Sequence, residues 1–371
     1  MSVTLQDKFF GCIAGVHIGS SMGATVEGWS YQKITETYGE VKELRSYEHY
    51  GNGWKRPPGT TEDGVERQKL MITAIIEKKD RVTAEDVKQI WIRDIKPISI
   101  GKVSEPFEAV LLTRAKGGIP ARDLGMYCDY AGQNSFARAC HPIGLINAGN
   151  IENVMEDIFE VGQLYNVDGS CGLQWAQVTG VGIAAATMPN ATVDSVIDAV
   201  LKHTEFTSFN KQYQWAANAR NYGVNRQLKE MLDATKDCKD YKELRVCLDK
   251  YFGGGGIPYS MSFAVEVVSK ALCIFRMVKG NTRDAIIAGV NLGRDTDCLA
   301  AVAAGISGAL TGGSSIPKEW IDQVDKATKE NIYTNSQRTL RESSDGLYNA
   351  FKARLKKQKE YAASMMAYAN Q

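Results

Sequence analysis

Three short stretches of this sequence gather carboxylates beside hydroxyl or thiol groups. Asp295 and Asp297 flank Thr296 and are followed by Cys298, at the head of a run to Leu310 built almost wholly of Ala, Gly and small aliphatics. A run of that kind is buried, and a buried carboxylate needs a cation or several hydrogen-bond donors. Capping the helix would use only one of the two. Glu62 and Asp63 follow Thr61, which reads as an N-cap, so both would fall in the first turn of a helix reaching Ile76, where the helix dipole favours anions. Glu27 is the third element, a carboxylate delivered just beyond a glycine-spaced helix. Two acidic pairs at the mouths of buried small-residue helices suggest one shared site for a hard divalent cation, because Mg²⁺ and Mn²⁺ take oxygen ligands in octahedral array. The competing chemistry is the phosphatase-type Asp-x-Asp that Asp295-Thr296-Asp297 imitates. That motif leads its domain after a strand, whereas here the pair comes near the end and precedes an Ala-rich helix.

The elements that must position these groups are read from periodicity and caps. Gly11, Gly15, Gly19 and Gly23 recur every fourth residue and so share one helix face. Each glycine costs a helix about 1 kcal/mol relative to Ala, a cost that close approach of a second backbone would offset. Thr83 with Asp86 forms a capping-box pattern ahead of Val87, Ile90 and Trp91 on one face. Similar starts are expected at Thr192, at Thr282, and at Pro317 as a first helical residue. Val41 to Tyr47 is the single candidate strand, and it is short. The fold class expected is therefore all-α: one compact helical domain over residues 1–340, followed by a C-terminal helical extension over 341–371 that packs on the surface or in an oligomer.

The 371 residues carry 44 Lys plus Arg against 43 Asp plus Glu, so no net field favours nucleic acid or an anionic membrane. No membrane span is expected either, since the most apolar region, Ala285 to Leu310, is broken by Arg294, Asp295 and Asp297. The N-terminus shows no secretory pattern, which makes the cytoplasm the expected compartment. Eight cysteines without a Cys-x-x-Cys pair read as reduced thiols, not as a disulfide framework or a zinc site.

The same segments resemble the ADP-ribosylglycohydrolase family. Its pattern has a Gly-x-x-x-Gly helix ending Gly-Asp-Ala-x-Gly-x-x-x-Glu, a Thr-Asp-Asp-Thr helix start, a Gly-x-Met-Arg-x-x-Pro-x-Gly loop, and Gly-Gly-Asp-Thr-Asp-Thr near the end. This chain offers Gly19 to Glu27, Thr61 to Gly64, Asn134 to Gly144 and Gly293 to Cys298, in that order. The resemblance implies an all-α fold with a central cleft holding Mg²⁺ or Mn²⁺, and cleavage of a bond at the anomeric carbon of ribose. It implies Thr61, Glu62, Asp63, Asp295 and Asp297 as metal ligands, with Glu27 and Asp63 as catalytic carboxylates. Gly132, Asn134 and Ser135, in the loop ending at Arg138, would approach the ligand. The chain departs from the pattern at Ser20, Glu62, Gly64, Arg294 and Cys298. A thiol is a poor ligand for Mg²⁺, so one firmly held ion is expected in place of two. Arg294 has three readings: a charge standing where a second ion would sit, a substrate-binding anion clamp, or a salt bridge at the helix start.

Other residues carry less. His17 is expected to be a hydrogen-bonded core histidine, and Cys140 with His141 is not expected to form a nucleophilic pair. Asp168 to Ser170 stands where the family carries a Thr-His pair, and Gly253 to Gly256 reads as a surface loop. The function expected is a divalent-metal-dependent glycohydrolase cleaving an N- or O-glycosidic bond to ribose, with ADP-ribose on a protein or small molecule as the default substrate. The alternatives are a nucleoside-type hydrolase with a smaller substrate, whose anionic group Arg294 would read, and a non-catalytic ADP-ribose-binding or structural homologue.

Overall fold

A computed structural model describes residues 3–48, 53–96, 106–127, 133–166, 170–204, 224–252 and 263–371. Gly132, Asp168 and Gly253 to Gly256 lie outside them. The described chain is helical almost throughout, as expected, with a single two-stranded antiparallel ribbon in which Tyr47 pairs with Arg56 and Glu48 with Lys55.

The core is an antiparallel pair of helices, Leu5–Gly23 (the glycine helix) and Thr296–Thr311 (the alanine helix). The four glycines do what their spacing requires. A β-carbon on Gly15 would lie 2.6 Å from the carbonyl oxygen of Ala304, one on Gly19 2.8 Å from that of Ala300, and one on Gly23 2.5 Å from the Cα of Asp297. Gly308 answers from the other side, where a β-carbon would meet the carbonyl oxygen of Gly11 at 2.1 Å. Backbone therefore lies on backbone along the whole crossing. Because the pair is antiparallel, the end of the glycine helix, and Glu27 beyond it, arrive at the start of the alanine helix. Leu5–Val26 is long and apolar enough to cross a membrane, but 94% of its apolar window is buried inside the protein, which fits a core helix.

Ala264–Met277, Thr282–Asn291 and Cys171–Ala186 surround the alanine helix. On the far side of the glycine helix lies Leu340–Ala369, where Phe9 meets the rings of Tyr348 and Phe351 at 5.5 and 5.8 Å. Leu347 and Phe351 of that last helix are buried, while Leu355, Tyr361 and Met365 are exposed.

The capping boxes at Thr83 and Thr192 are both formed. Two other starts are shifted by one residue: Asn281 caps the helix that begins at Thr282, and Pro317 is itself the cap of Lys318–Lys329. The expected strand over Val41 to Tyr47 reduces to its last residue. The backbone N–H of Val41 donates to Asn291 Oδ1 and its carbonyl accepts from Asn291 Nδ2, each at 2.9 Å, so a side-chain amide takes the place of a neighbouring strand.

Candidate active site

Asp295 caps the alanine helix, its Oδ1 accepting from the Cys298 N–H at 3.3 Å while Oδ2 accepts from Asn134 Nδ2 at 2.9 Å. The two residues before it, Gly293 and Arg294, have φ of 79° and 69°, a left-handed pair that turns the chain sharply into the helix. That turn is stitched to the Glu27 turn: Arg294 N–H donates to the Trp29 carbonyl at 2.7 Å and Gly28 N–H to the Arg294 carbonyl at 2.8 Å. The guanidinium of Arg294 lies on Glu266 in a two-pronged pair, 2.5 and 2.8 Å, and Lys270 Nζ joins the same carboxylate at 2.6 Å. All three side chains are buried. This is the ion-pair geometry among the three readings of Arg294.

Asp297 is 3% exposed, and its Oδ1 is buried with no hydrogen-bond donor. Burial, then the charges of Glu27 and Asp295, push its carboxyl well above the ordinary range. Cys298 Sγ donates to Asp297 Oδ2 at 3.6 Å, and one donor atom from each of Asp295, Asp297 and Cys298 lies within 4.8 Å of the others.

The second acidic couple reaches the same place. Asp63 opens the helix Asp63–Lys78 and is ion-paired with Arg138 Nη2, while Nη1 of that guanidinium donates to Cys298 Sγ at 3.3 Å. One side chain thus joins the two segments that the sequence kept more than 230 residues apart. Gly64 admits it: a β-carbon there would stand 2.6 Å from Arg138 Cδ.

Glu62 sits beside this cluster but is held by Tyr47 Oη and, at 3.3 Å, by Arg56 Nε. Thr61 does not cap the helix, contrary to expectation. Glu62 occupies the cap position without a side-chain bond, and Thr61 Oγ1 is bound to Glu66 and to Lys69 Nζ, the latter at 3.0 Å. These groups line a separate cavity of about 170 Å³. Ser135 is buried near the loop's Asn134, and Gly132 is outside the described residues.

The structure therefore brings Glu27, Asp63, Asn134, Asp295 and Asp297 together, sets Glu62 beside them, and commits Thr61 and Arg294 to other partners. Sequence reasoning placed Arg138 at the end of the ligand-approaching loop without giving it a role, and gave none to Tyr47, Arg56, Glu266 or Lys270. Arg138 carried a signal, as the one cation in the Asn134–Gly144 loop.

His17 Nε2 meets Gln68 Oε1 at 3.1 Å and Gln68 Nε2 meets His141 Nδ1 at 3.2 Å, all buried, so His17 is the core histidine expected. Cys140 Sγ instead faces the carbonyls of Ala137 and Ala176, not His141.

A family profile described as ADP-ribosylglycohydrolase matches residues 1–355. The chain belongs to the ADP-ribosylglycohydrolase family. An uncharacterized protein of Archaeoglobus fulgidus is 24% identical over 325 residues, covering 86% of this chain and 92% of its own length. A solved structure described as an ADP-ribosylglycohydrolase-related protein complex superposes with a TM-score of 0.62 at 16% identity, covering 94% of this chain and 98% of that one, which establishes the shared fold. Membership of the ADP-ribosylglycohydrolase family suggests hydrolase activity of that type, and the Asp295, Asp297 and Cys298 group is a possible metal site.

Proposed function

We propose that this protein is a divalent-metal-dependent glycohydrolase that cleaves an N- or O-glycosidic bond to ribose, acting in the cytoplasm on ADP-ribose linked to a protein or small molecule. The observation that carries the reading is the convergence of Asp63, Asp295 and Asp297 around the Arg138 guanidinium and the Cys298 thiol, with the charge of Glu27 acting on Asp297. Asp297 tests the fit to a cation: a buried carboxylate oxygen without a donor, among further carboxylates, is stabilised by a positive ion and destabilised without one. Glu62 and Thr61 are held by protein partners, and this supports one ion, Mg²⁺ or Mn²⁺ by the family's default, in place of two.

When bound, the ion would orient the ribose diol and lower the pKa of a water. The chain's own residues do the rest. Asn134 fixes Asp295, and the Arg138 pair fixes Asp63, so neither carboxylate has to reorganise as positive charge develops on the ribose ring. Glu27, whose charge acts on Asp297 from the turn beyond the glycine helix, is the group assigned to exchange a proton with the attacking water or the leaving atom. Net, the anomeric carbon–leaving atom bond breaks, a carbon–oxygen bond to water forms, and the water's proton ends on the leaving group. The smaller-substrate alternative called on Arg294 to read an anion, and the pairing of Arg294 with Glu266 takes away that support.

Thermal unfolding with and without Mg²⁺, Mn²⁺ and ADP-ribose tests the reading. A ligand at a hundred times its Kd adds about 2.7 kcal/mol to the folded state, which is a shift of several degrees. The metal-induced shift is expected in the wild type and lost in Asp297→Asn, together with release of ADP-ribose from ADP-ribosylated protein. A wild type unmoved by any divalent ion and by ADP-ribose would overturn the proposal in favour of a non-catalytic homologue.

A further inference from the structure

The residue that follows the second acidic couple is a thiol, and its place in the site is specific. Cys298 Sγ lies 3.6 Å from Asp297 Oδ2 and shares a 4.8 Å sphere of donor atoms with Asp295 and Asp297. An oxygen bound at about 2.1 Å and a sulfur bound at about 2.3 Å to one tetrahedral ion stand roughly 3.6 Å apart. The two atoms, joined here by an S–H···O hydrogen bond, are therefore already at the spacing of two donors to a common ion. Independently, Asp297 Oδ1 is buried, unpartnered and part of the same carboxylate. Of the described cysteines, Cys298 is the one grouped with carboxylates in this way. Arg138 Nη1 donates to the sulfur at 3.3 Å, and Asp63 holds that guanidinium in place, so the thiol is fixed in position beside the two carboxylates.

We propose that Cys298 is a direct metal ligand and that the mixed oxygen–sulfur set selects a thiolate-accepting ion of the zinc class over Mg²⁺. The inference rests on the metal-site reading above and deepens it. On binding, the Cys298 S–H bond breaks, a sulfur–metal bond forms and the proton leaves to solvent, with no change of oxidation state. Soft thiolate favours Zn²⁺ and Co²⁺ over the hard alkaline-earth ions, while Asp295 and Asp297 accept either kind. The departure at Cys298 thus changes which ion the site takes, and the two carboxylates keep the site itself.

Co²⁺ is the direct probe, because a thiolate ligand adds an intense near-ultraviolet charge-transfer band to the visible ligand-field bands of the ion. The wild-type full chain is expected to show both sets with one equivalent of Co²⁺. Cys298→Ser is expected to keep the visible bands, lose the near-ultraviolet one and lower the Zn²⁺ to Mg²⁺ affinity ratio by about tenfold or more. Should that variant not fold, zinc-edge X-ray absorption of the wild type gives the same answer, with one sulfur expected at about 2.3 Å. Bound Co²⁺ without the near-ultraviolet band, or an all-oxygen zinc shell, overturns the role of Cys298 and leaves the carboxylate site standing. Absence of any binding of Co²⁺, Zn²⁺ or Mg²⁺ overturns both.

Discussion

At the scale of single residues, the candidate site is a problem in placing like charges. Asp63 takes the one guanidinium, and Asp297, left among like charges, absorbs the conflict as a raised proton affinity caused first by its burial and then by Glu27 and Asp295. A cation binding there must displace that proton, so proton and metal compete for the same oxygens. The sign follows directly: Asp297 prefers its proton in the metal-free protein, and raising the pH removes that competitor. Metal affinity measured by titration calorimetry at several pH values is therefore expected to rise with pH, with proton release at each injection. Asp297→Asn, which removes a ligand as well as a titrating group, is expected to bind the ion too weakly for the calorimeter at each of these pH values. Affinity that does not change from pH 6 to pH 8 would mean that binding displaces no proton, and would overturn the competition between proton and metal at Asp297.

At the scale of helices, the sequence was most legible where a local rule decides the outcome. The Thr83 and Thr192 capping boxes and the glycine ladder depend on residues within one or two turns, and each is formed as expected. It was least legible where a distant side chain replaces a backbone partner, as Asn291 does for Val41, or draws off an expected cap, as Glu66 and Lys69 do for Thr61. The site divides in the same way. Its acidic couples stood out by spacing, but nothing in spacing pairs Arg138 with Asp63 or Arg294 with Glu266, because those contacts arise only when the helices pack. The glycine ladder also yields a comparison between two positions. A β-carbon on Gly15 would meet the Ala304 carbonyl oxygen at 2.6 Å and force backbones apart, whereas one on Gly182 would meet only the tip of Ile306 at 3.4 Å. Overpacking costs about 1–3 kcal/mol, and replacing a helical glycine by alanine returns about 1 kcal/mol. Gly15→Ala is expected to lower the urea midpoint and, by shifting the glycine helix, to weaken metal binding. Gly182→Ala is expected to leave both unchanged or raise the midpoint slightly. Equal effects at the two sites would show that the crossing yields more easily than its backbone contacts imply.

At the scale of the whole molecule, stability against acid is set in part by one buried line of polar groups that the candidate chemistry does not use. His17, Gln68 and His141 form a hydrogen-bonded chain between the glycine helix, the Asp63–Lys78 helix and the short helix His141–Ile146, so it ties together three of the elements around the site. Gln68 Nε2 donates towards His141 Nδ1, which leaves no acceptor for a proton there. Burial lowers His141 to about 3 and lowers His17 well below the usual histidine range, in the latter case with help from the charge of Lys69. Both imidazoles are therefore neutral when folded and take up protons when unfolded, so the unfolded state binds more protons as the pH falls below about 6.5. Their contribution to stability is fully present above that value and is lost progressively towards the folded value near 3 for His141. Each such group costs about 1.4 kcal/mol per pH unit in that window, and two cost about 2.7 kcal/mol per unit. Urea unfolding at pH 7, 6 and 5 is expected to show the midpoint falling with acid at close to that combined slope. His17→Gln, whatever it costs at pH 7, is expected to reduce the slope by about half. An unchanged slope in that variant would assign the acid sensitivity to the surface carboxylates and leave the histidine line a matter of packing alone.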